Sequence, residues 1–445
     1  MHNTKNVQTA TAGNPDALLS RELGTRQLAA TIFNYTVGSG IFVLPAFAVL
    51  QLGTAAPLAY VACAVIIGLV VLCFAEAGSR VSATGGPYAY VETALGPFVG
   101  FIAGCLVLTT GTSAAGAVSS VLARSILSLW PGAPKWVTPV VILVLVSTLV
   151  WINYRGVKTG ARVIEGITVA KLLPLLAFVA IGAFFIEPSN LVWSGVPEMS
   201  TVLGTAGIVI FAFSGIEGSL IPSGEVKNPS RTVPRAAFLA LGSATLLYLA
   251  IQFVALGVLG TELANDNTTP LASAAHAIVG PVGRTILVVG AVISMFGYLS
   301  ANVLSEPRGL FAFSRDGFLP RFFSSVHPSF HTPHKAIVIY GVMVAAIGLS
   351  GTYETLAVFA NLAAIMLYFL CAIAAFVLRK RNVRTDGEPF LAPGGPLVPI
   401  ATCLALAWLF YETVKPDQFI ALMIVLAVIV TLYGLRALRL KQLAT

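Results

Sequence analysis

The feature that most limits what this chain can fold into is a series of uncharged apolar runs, each about as long as a membrane is thick. The first extends from about Leu28 to Leu50. Roughly 20 apolar residues, rising 1.5 Å each as a helix, cover a hydrocarbon core about 30 Å thick. Lipid offers the backbone no hydrogen-bond partners, so runs of this length are expected to be helices. Twelve spans can be read, at about 27–50, 55–79, 98–126, 136–153, 163–186, 201–224, 235–260, 281–305, 335–351, 354–378, 397–413 and 417–436. Composition agrees: 10% of the 445 residues are charged and 57% hydrophobic, where a soluble domain carries about 25% charge. The expectation is an all-α polytopic membrane protein embedded in a lipid bilayer.

Loop charge tests the count, because Lys and Arg accumulate on the cytoplasmic side of membrane proteins. With twelve spans, 21 of the 26 Lys and Arg fall on the side of the termini, from Lys5 through the Arg379–Arg381 cluster to Lys441. Only Arg124, Lys135, Arg284 and Lys415 fall opposite, and Lys171 lies inside a span. Both termini are therefore expected in the cytoplasm of a cell, with the chain in its plasma membrane (the inner membrane in a bacterium). The net charge of +8 is explained by this bias and calls for no nucleic acid. The tail to about Ser20 has no apolar core, so no cleaved signal peptide is expected. The five cysteines (Cys63, Cys73, Cys105, Cys371, Cys403) sit within apolar runs at spacings that suit neither zinc nor disulfides. His327, His331 and His334 lie near one another, but Pro328 and Pro333 interrupt them and no Cys or carboxylate completes a set. No metal and no cofactor are expected.

Gly38-Ser39-Gly40 interrupts the first span near mid-depth. Glycine weakens a helix by about 1 kcal/mol relative to alanine, and unpaired backbone groups in lipid cost more. Two readings fit: close helix packing by small residues, or a broken helix lining a polar cavity. Span six repeats the pattern at Phe211-Ala212-Phe213-Ser214-Gly215-Ile216-Glu217-Gly218, now with a carboxylate. Spans one and six each begin a set of five, and five is odd, so the sets enter the membrane from opposite sides. Inverted repeats of this kind place two broken helices together at mid-membrane. The reading divides the chain into a tail (1–26), a ten-helix core (27–378, repeats about 27–186 and 201–378) and a final pair of helices with the C-terminus (379–445).

Gly38-Ser39-Gly40-Ile41-Phe42 with Pro45 resembles the first-span signature of the amino acid–polyamine–organocation superfamily. Phe211 to Glu217, followed by Glu225-Val226-Lys227-Asn228-Pro229 and Pro234-Arg235, is similar to its sixth-span signature. Pro307-Arg308, Arg315-Asp316-Gly317 and Pro320 resemble the segment after its eighth span, and Gly85-Gly86-Pro87-Tyr88-Ala89-Tyr90 fits its glycine-rich loop. That loop, within 84–97, reads either as a short helix at a gate or as an interfacial connector. The resemblance implies a leucine-transporter-like fold with discontinuous helices one and six.

A broken helix suits a zwitterion. The half that starts after the first break presents N–H groups and a partial positive charge, placing Ser39, Gly40 and Ile41 to hold a carboxylate. The halves that end at the breaks present carbonyls, with Thr36, Val37, Phe211 and Ser214 as candidates for an ammonium. Gly38, Gly40 and Gly215 let a ligand approach the backbone. The resemblance implies the same assignment, with Phe211 as an aromatic lid. Ser113, Met295, Asn302 and Tyr368 are candidate walls for the side-chain pocket.

Ionisable groups at mid-depth are functional candidates. Lys171 lies nine residues, roughly 14 Å of helix, beyond Arg162. In sodium-independent members of the superfamily a fifth-span lysine replaces the sodium ion, and Ala170-Lys171-Leu172-Leu173 matches that run. This implies independence from sodium, with Lys171 either a proton carrier or a fixed brace. Glu217 reads as a gating or proton-coupling residue. Glu76 with Arg80 and Glu165 with Arg162 read as local pairs at span ends, and Glu306 as an end residue of structural use.

The expectation is a secondary amino acid transporter, a monomer or homodimer, working by alternating access with protons or a counter-substrate, and favouring neutral amino acids. The alternative is an exchanger of cationic amino acids or polyamines, with Glu217 supplying the counter-charge. The remote alternatives are a channel, which would need a continuous polar pore, and a transport-like sensor, which would need a soluble output domain; an enzyme would need a nucleophile–base pair or a metal set.

Overall fold

With no water to bond, the backbone of each apolar run closes its own i to i−4 ladder. The computed structural model describes residues 21–127, 130, 132–193, 195–266, 268–351, 353–384 and 387–444, apart from the side chains of 157–163, 353, 354 and 439–444. Most of the N-terminal tail, with Lys5, lies outside the described residues. Helices α1 (Thr25–Thr36) and α2 (Gly40–Leu52) are apolar and long enough to cross a membrane only as a pair, bent by 45° at a short break. Next come α3 (Pro57–Arg80), the short α4 (Pro87–Leu95), α5 (Pro97–Leu127), α6 (Val137–Tyr154) and α7 (Val157–Gly182). Helix α8 (Met199–Phe213) gives way to the single turn α9 (Ile216–Ser219). The chain continues as α10 (Pro229–Leu259), α11 (Pro270–Ser305), α12 (Pro307–Arg315), α13 (His334–Ser350), α14 (Tyr353–Lys380), α15 (Leu397–Thr413) and α16 (Pro416–Ala444). Seven of these start on proline, whose missing N–H is no loss in a first turn.

Among the described residues, nine helical stretches are long and apolar enough to cross a membrane. The bent α1–α2 pair makes a tenth if counted as one span, and α13 and α15 are shorter apolar helices of 17 residues each. The protein is thus a multi-pass membrane protein. Helices α5 and α11 run through the middle. Along α5, added Cβ atoms on Gly104, Gly111 and Gly116 would meet Phe313, Glu306 and Ile347 at 2.0, 2.3 and 2.7 Å. Small residues here let three neighbours lie directly against the helix. Helices α15 and α16 instead expose Leu404, Trp408, Ile420 and Ile424 outward, a surface that suits lipid.

Several charges differ from expectation. Glu76 and Arg80 do pair, at 3.1 Å, but the pair is buried and Arg379 joins it at 3.4 Å. Glu165 pairs with Arg26 at 3.4 Å; the Arg162 side chain lies outside the described residues. Glu306 does stand at a helix end, at the junction of α11 and α12, but it is 1% exposed: Pro307 takes the first position of α12, the chain continues into another helix, and the carboxyl group stays in the interior.

The glycine-rich loop is a short helix, α4, docked onto the chain that leaves the second break. Gly85 N–H donates to the Ile221 carbonyl at 2.8 Å, and Tyr90 Oη lies 3.2 Å from Ser223 Oγ. In the histidine loop, His327 Nδ1 accepts the N–H groups of Ser329 and Phe330. No cluster of metal-ligating side chains forms among the described residues.

Candidate functional site

Both interruptions are real breaks in the helical course, and they meet. Helix α1 stops at Thr36, Val37 to Ser39 leave the helical path, and α2 starts at Gly40. Helix α8 stops at Phe213, Ser214 is extended, and Gly215 takes φ +126° before α9 begins. The contact leaves no room for side chains. A Cβ on Gly40 would lie 2.8 Å from Ala212 Cα, and one on Gly215 2.8 Å from the Tyr35 carbonyl carbon. Gly215 also needs its positive φ, which L side chains avoid. The halves are paired crosswise: α2 packs on α8, and α1 on α9.

Three side chains from other helices hold the breaks. Tyr248 Oη of α10 lies 2.8 Å from the Thr36 carbonyl and 2.9 Å from that of Ala212, tying the two helix ends through one hydroxyl. Lys171 of α7 donates Nζ to the Val37 carbonyl at 2.7 Å, with the Phe33 ring centroid 5.2 Å away. Ser294 of α11 donates to the same carbonyl at 2.9 Å. These bonds revise the expected ammonium site. The Val37 carbonyl is taken by Lys171 and Ser294, and that of Thr36 by Tyr248 and by Gly38 N–H at 3.0 Å. At the second break, Glu217 Oε2 accepts from Gly215 N–H at 2.9 Å and from Tyr368 Oη at 2.7 Å.

A small cavity sits where the breaks meet. It is lined by Thr36, Gly38, Ser39 and Gly40 from the first break and by Phe211, Ser214, Gly215 and Glu217 from the second. Tyr35, Thr110, Ala114, Val118, Tyr298, Ala360 and Asn361 complete the wall. Its volume is about 20 Å³, which is room for a water, so the walls are drawn in around the site. Ser39 Oγ, Thr110 Oγ1 and Asn361 Oδ1 are buried here without a hydrogen-bond partner among the described residues.

Not every expected residue reaches the cavity. Ile41 lies in the first turn of α2, outside the lining, and Val37 likewise. Ser113 is on α5, one residue from the lining Ala114. Met295 faces a separate apolar cavity with Phe42 and Leu287. Asn302 bonds the Gly111 carbonyl and Tyr340 Oη, while Tyr368 stands behind Glu217. Helix α14 reaches the cavity through Ala360 and Asn361, and α11 through Tyr298, which no break or charge in the sequence marks. The first turn of α2 and the end of α8 thus bring a helix N-terminus and a helix C-terminus to one small polar chamber, an arrangement that can meet both ends of a zwitterion.

A family model described as amino acid permease matches residues 23–433. The branched-chain amino acid permease BcaP of Bacillus subtilis (strain 168) is 29% identical, covering 97% of each chain. The methylthioribose transporter of the same organism is 28% identical over 92% of each chain. Its serine/threonine exchanger SteT is 26% identical over 94% of this chain and 97% of its own. With a match that runs through the whole bundle, this chain belongs to the amino acid permease family and is a transporter, not an enzyme.

Proposed function

We propose that the protein is a secondary active transporter of neutral amino acids, independent of sodium, that works by alternating access around the two breaks. The observation that carries this reading is the chamber between them. In it, the N–H groups of Ser39 and Gly40 are to hold the substrate carboxylate, and the carbonyl end of α8, with Phe211, Ser214 and Gly215, its ammonium. Phe211 and Tyr298 are to close over the side chain. Lys171 supports independence from sodium, since its ammonium already bonds the Val37 carbonyl where a cation would sit. The cavity volume supports an occluded state that must widen before a substrate fits. The crosswise packing of α1 on α9 and α2 on α8 supports an inverted repeat within a twelve-span bundle. We place both termini in the cytoplasm on the strength of the loop charges, and the chain in the plasma membrane, the inner membrane in a bacterium.

A second reading, exchange of cationic amino acids or polyamines, is favoured by one feature: Glu217 lines the cavity. Uptake of labelled alanine, leucine, serine, arginine and putrescine into proteoliposomes separates the two. We expect uptake of neutral members without sodium, stimulated by a pH gradient or by internal substrate. Uptake confined to arginine or putrescine would establish the second reading, and a strict need for sodium would refute the role given to Lys171.

A further inference from the structure

Glu306 lies behind the cavity rather than in its wall, and transport as described above leaves it without a task. It occupies a slot between α5 and α9. A Cβ on Gly111 would meet its Cδ at 2.3 Å, and one on Gly218 its Oε1 at 2.8 Å. Each helix carries glycine where anything larger would expel the carboxyl group. Tyr35, one of the residues that line the cavity, donates its hydroxyl to Oε1 at 3.2 Å. Oε2 has no hydrogen-bond partner among the described residues.

Among the described residues, no positive charge pairs with it. The titratable groups that face it are Tyr35 from α1, Glu217 from α9, Tyr298 from α11 and Tyr340 from α13. Gly111 faces it from α5, with its carbonyl held by Asn302. Arg308, two residues on, is committed to Glu225 and to the Leu304 carbonyl. A buried carboxylate with one hydrogen bond and no cation is far more costly than a buried neutral acid. Glu217 is better served, with two donors on one oxygen.

We propose that Glu306 is a proton-carrying group of the transport cycle, loaded from the substrate cavity through Tyr35 and unloaded on the side of Arg308 and Glu225 when that side opens. This rests on the transport reading and adds a carrier beyond Lys171 and Glu217. In the loading step, Tyr35 gives its hydroxyl proton to the Glu306 carboxylate and takes one from hydronium in the widened cavity. Tyr35 is unchanged, and Glu306 becomes a neutral acid. In the unloading step, water admitted between α1, α9 and α12 takes that proton and leaves the carboxylate. One positive charge thus crosses with each loading and unloading.

Two measurements on the full-length chain test this. The first is infrared spectroscopy in detergent at neutral pH, which needs no substrate. The protonated-carboxyl C=O stretch of the wild type should lose intensity in Glu306→Gln; an unchanged band overturns the proposal. Should that variant fail to fold, Tyr35→Phe keeps the carboxyl and removes its hydrogen bond, so the band should move to higher frequency. A band that stays in place overturns the proposal. The second measurement uses labelled leucine, serine and arginine in proteoliposomes. Glu306→Gln should retain counterflow and lose the accumulation driven by a pH gradient. Gradient-driven accumulation equal to wild type in Glu306→Gln, or none in a wild type that shows counterflow, overturns it. Absence of counterflow in the wild type for all three would instead sink the transport reading, while the infrared band still reports on Glu306.

Discussion

At the scale of single residues, the Val37 carbonyl is the point where three spans are joined. It accepts Lys171 Nζ and Ser294 Oγ, which fills both lone pairs. A hydrogen bond to a charged group is worth about 1.5–3 kcal/mol, so Lys171→Gln should lower the melting temperature and cut sodium-free counterflow by about tenfold or more. A variant with wild-type melting and wild-type counterflow would show that the ammonium neither braces nor couples. Outside the spans, Asp266 precedes α11. Burial raises its carboxyl, but hydrogen bonds from Ser273, Thr269 and Thr268 outweigh that and hold it at about 2. A carboxyl depressed on folding stabilises above its unfolded value and loses that effect as the pH falls through its folded one. The melting temperatures of wild type and Asp266→Asn should therefore differ most above about pH 4 and converge toward pH 2. A gap that is constant with pH would refute this. Lys171 and Glu217 are legible in the sequence because a charge at mid-depth stands out. Tyr35, Tyr248, Ser294, Tyr298 and Asn361 are not, since uncharged side chains fit any face of a span and only the packed neighbours choose among them.

At the scale of elements, the breaks act through contact. Gly40 touches Ala212 and Gly215 touches Tyr35, so an added methyl group at either wedges the halves apart. Gly215→Ala also meets an unfavourable φ, worth about 1–2 kcal/mol. We expect Gly40→Ala and Gly215→Ala to lose most counterflow. Gly68→Ala and Gly242→Ala, where an added Cβ meets nothing within 4 Å, should leave it intact. Equal rates in all four would show that the contact is incidental. Both breaks could be read beforehand because small residues interrupt uncharged runs. The burial of Glu306 could not: the eighth run does stop at Ser305, and proline followed by arginine looks like an exit to water, yet Pro307 opens another helix and the carboxyl group stays in the interior.

At the scale of the whole molecule, the segment before α1 is tied to the segment before α10. Leu23 N–H donates to the Glu225 carbonyl at 2.9 Å, Lys227 N–H donates to Leu23 at 2.8 Å, and the Glu225 carboxylate pairs with Arg308 in the interior. Leaving a buried charge without its partner costs about 3–5 kcal/mol. Glu225→Gln should accordingly lower the melting temperature markedly, and an unchanged value would mean that Arg308 finds water. The helical membrane class is legible in the length of the uncharged apolar runs, and the breaks in the small residues that interrupt two of them. The small volume of the chamber is not, because the length of an apolar run does not set how closely the side chains around it pack. The most direct measurement is counterflow of the labelled amino acid panel in sodium-free proteoliposomes, with wild type and Gly40→Val side by side. We expect transient accumulation of neutral amino acids by the wild type and none by the folded Gly40→Val chain. Equal accumulation by both, or none by the wild type for any amino acid tried, would contradict a substrate held between the two breaks.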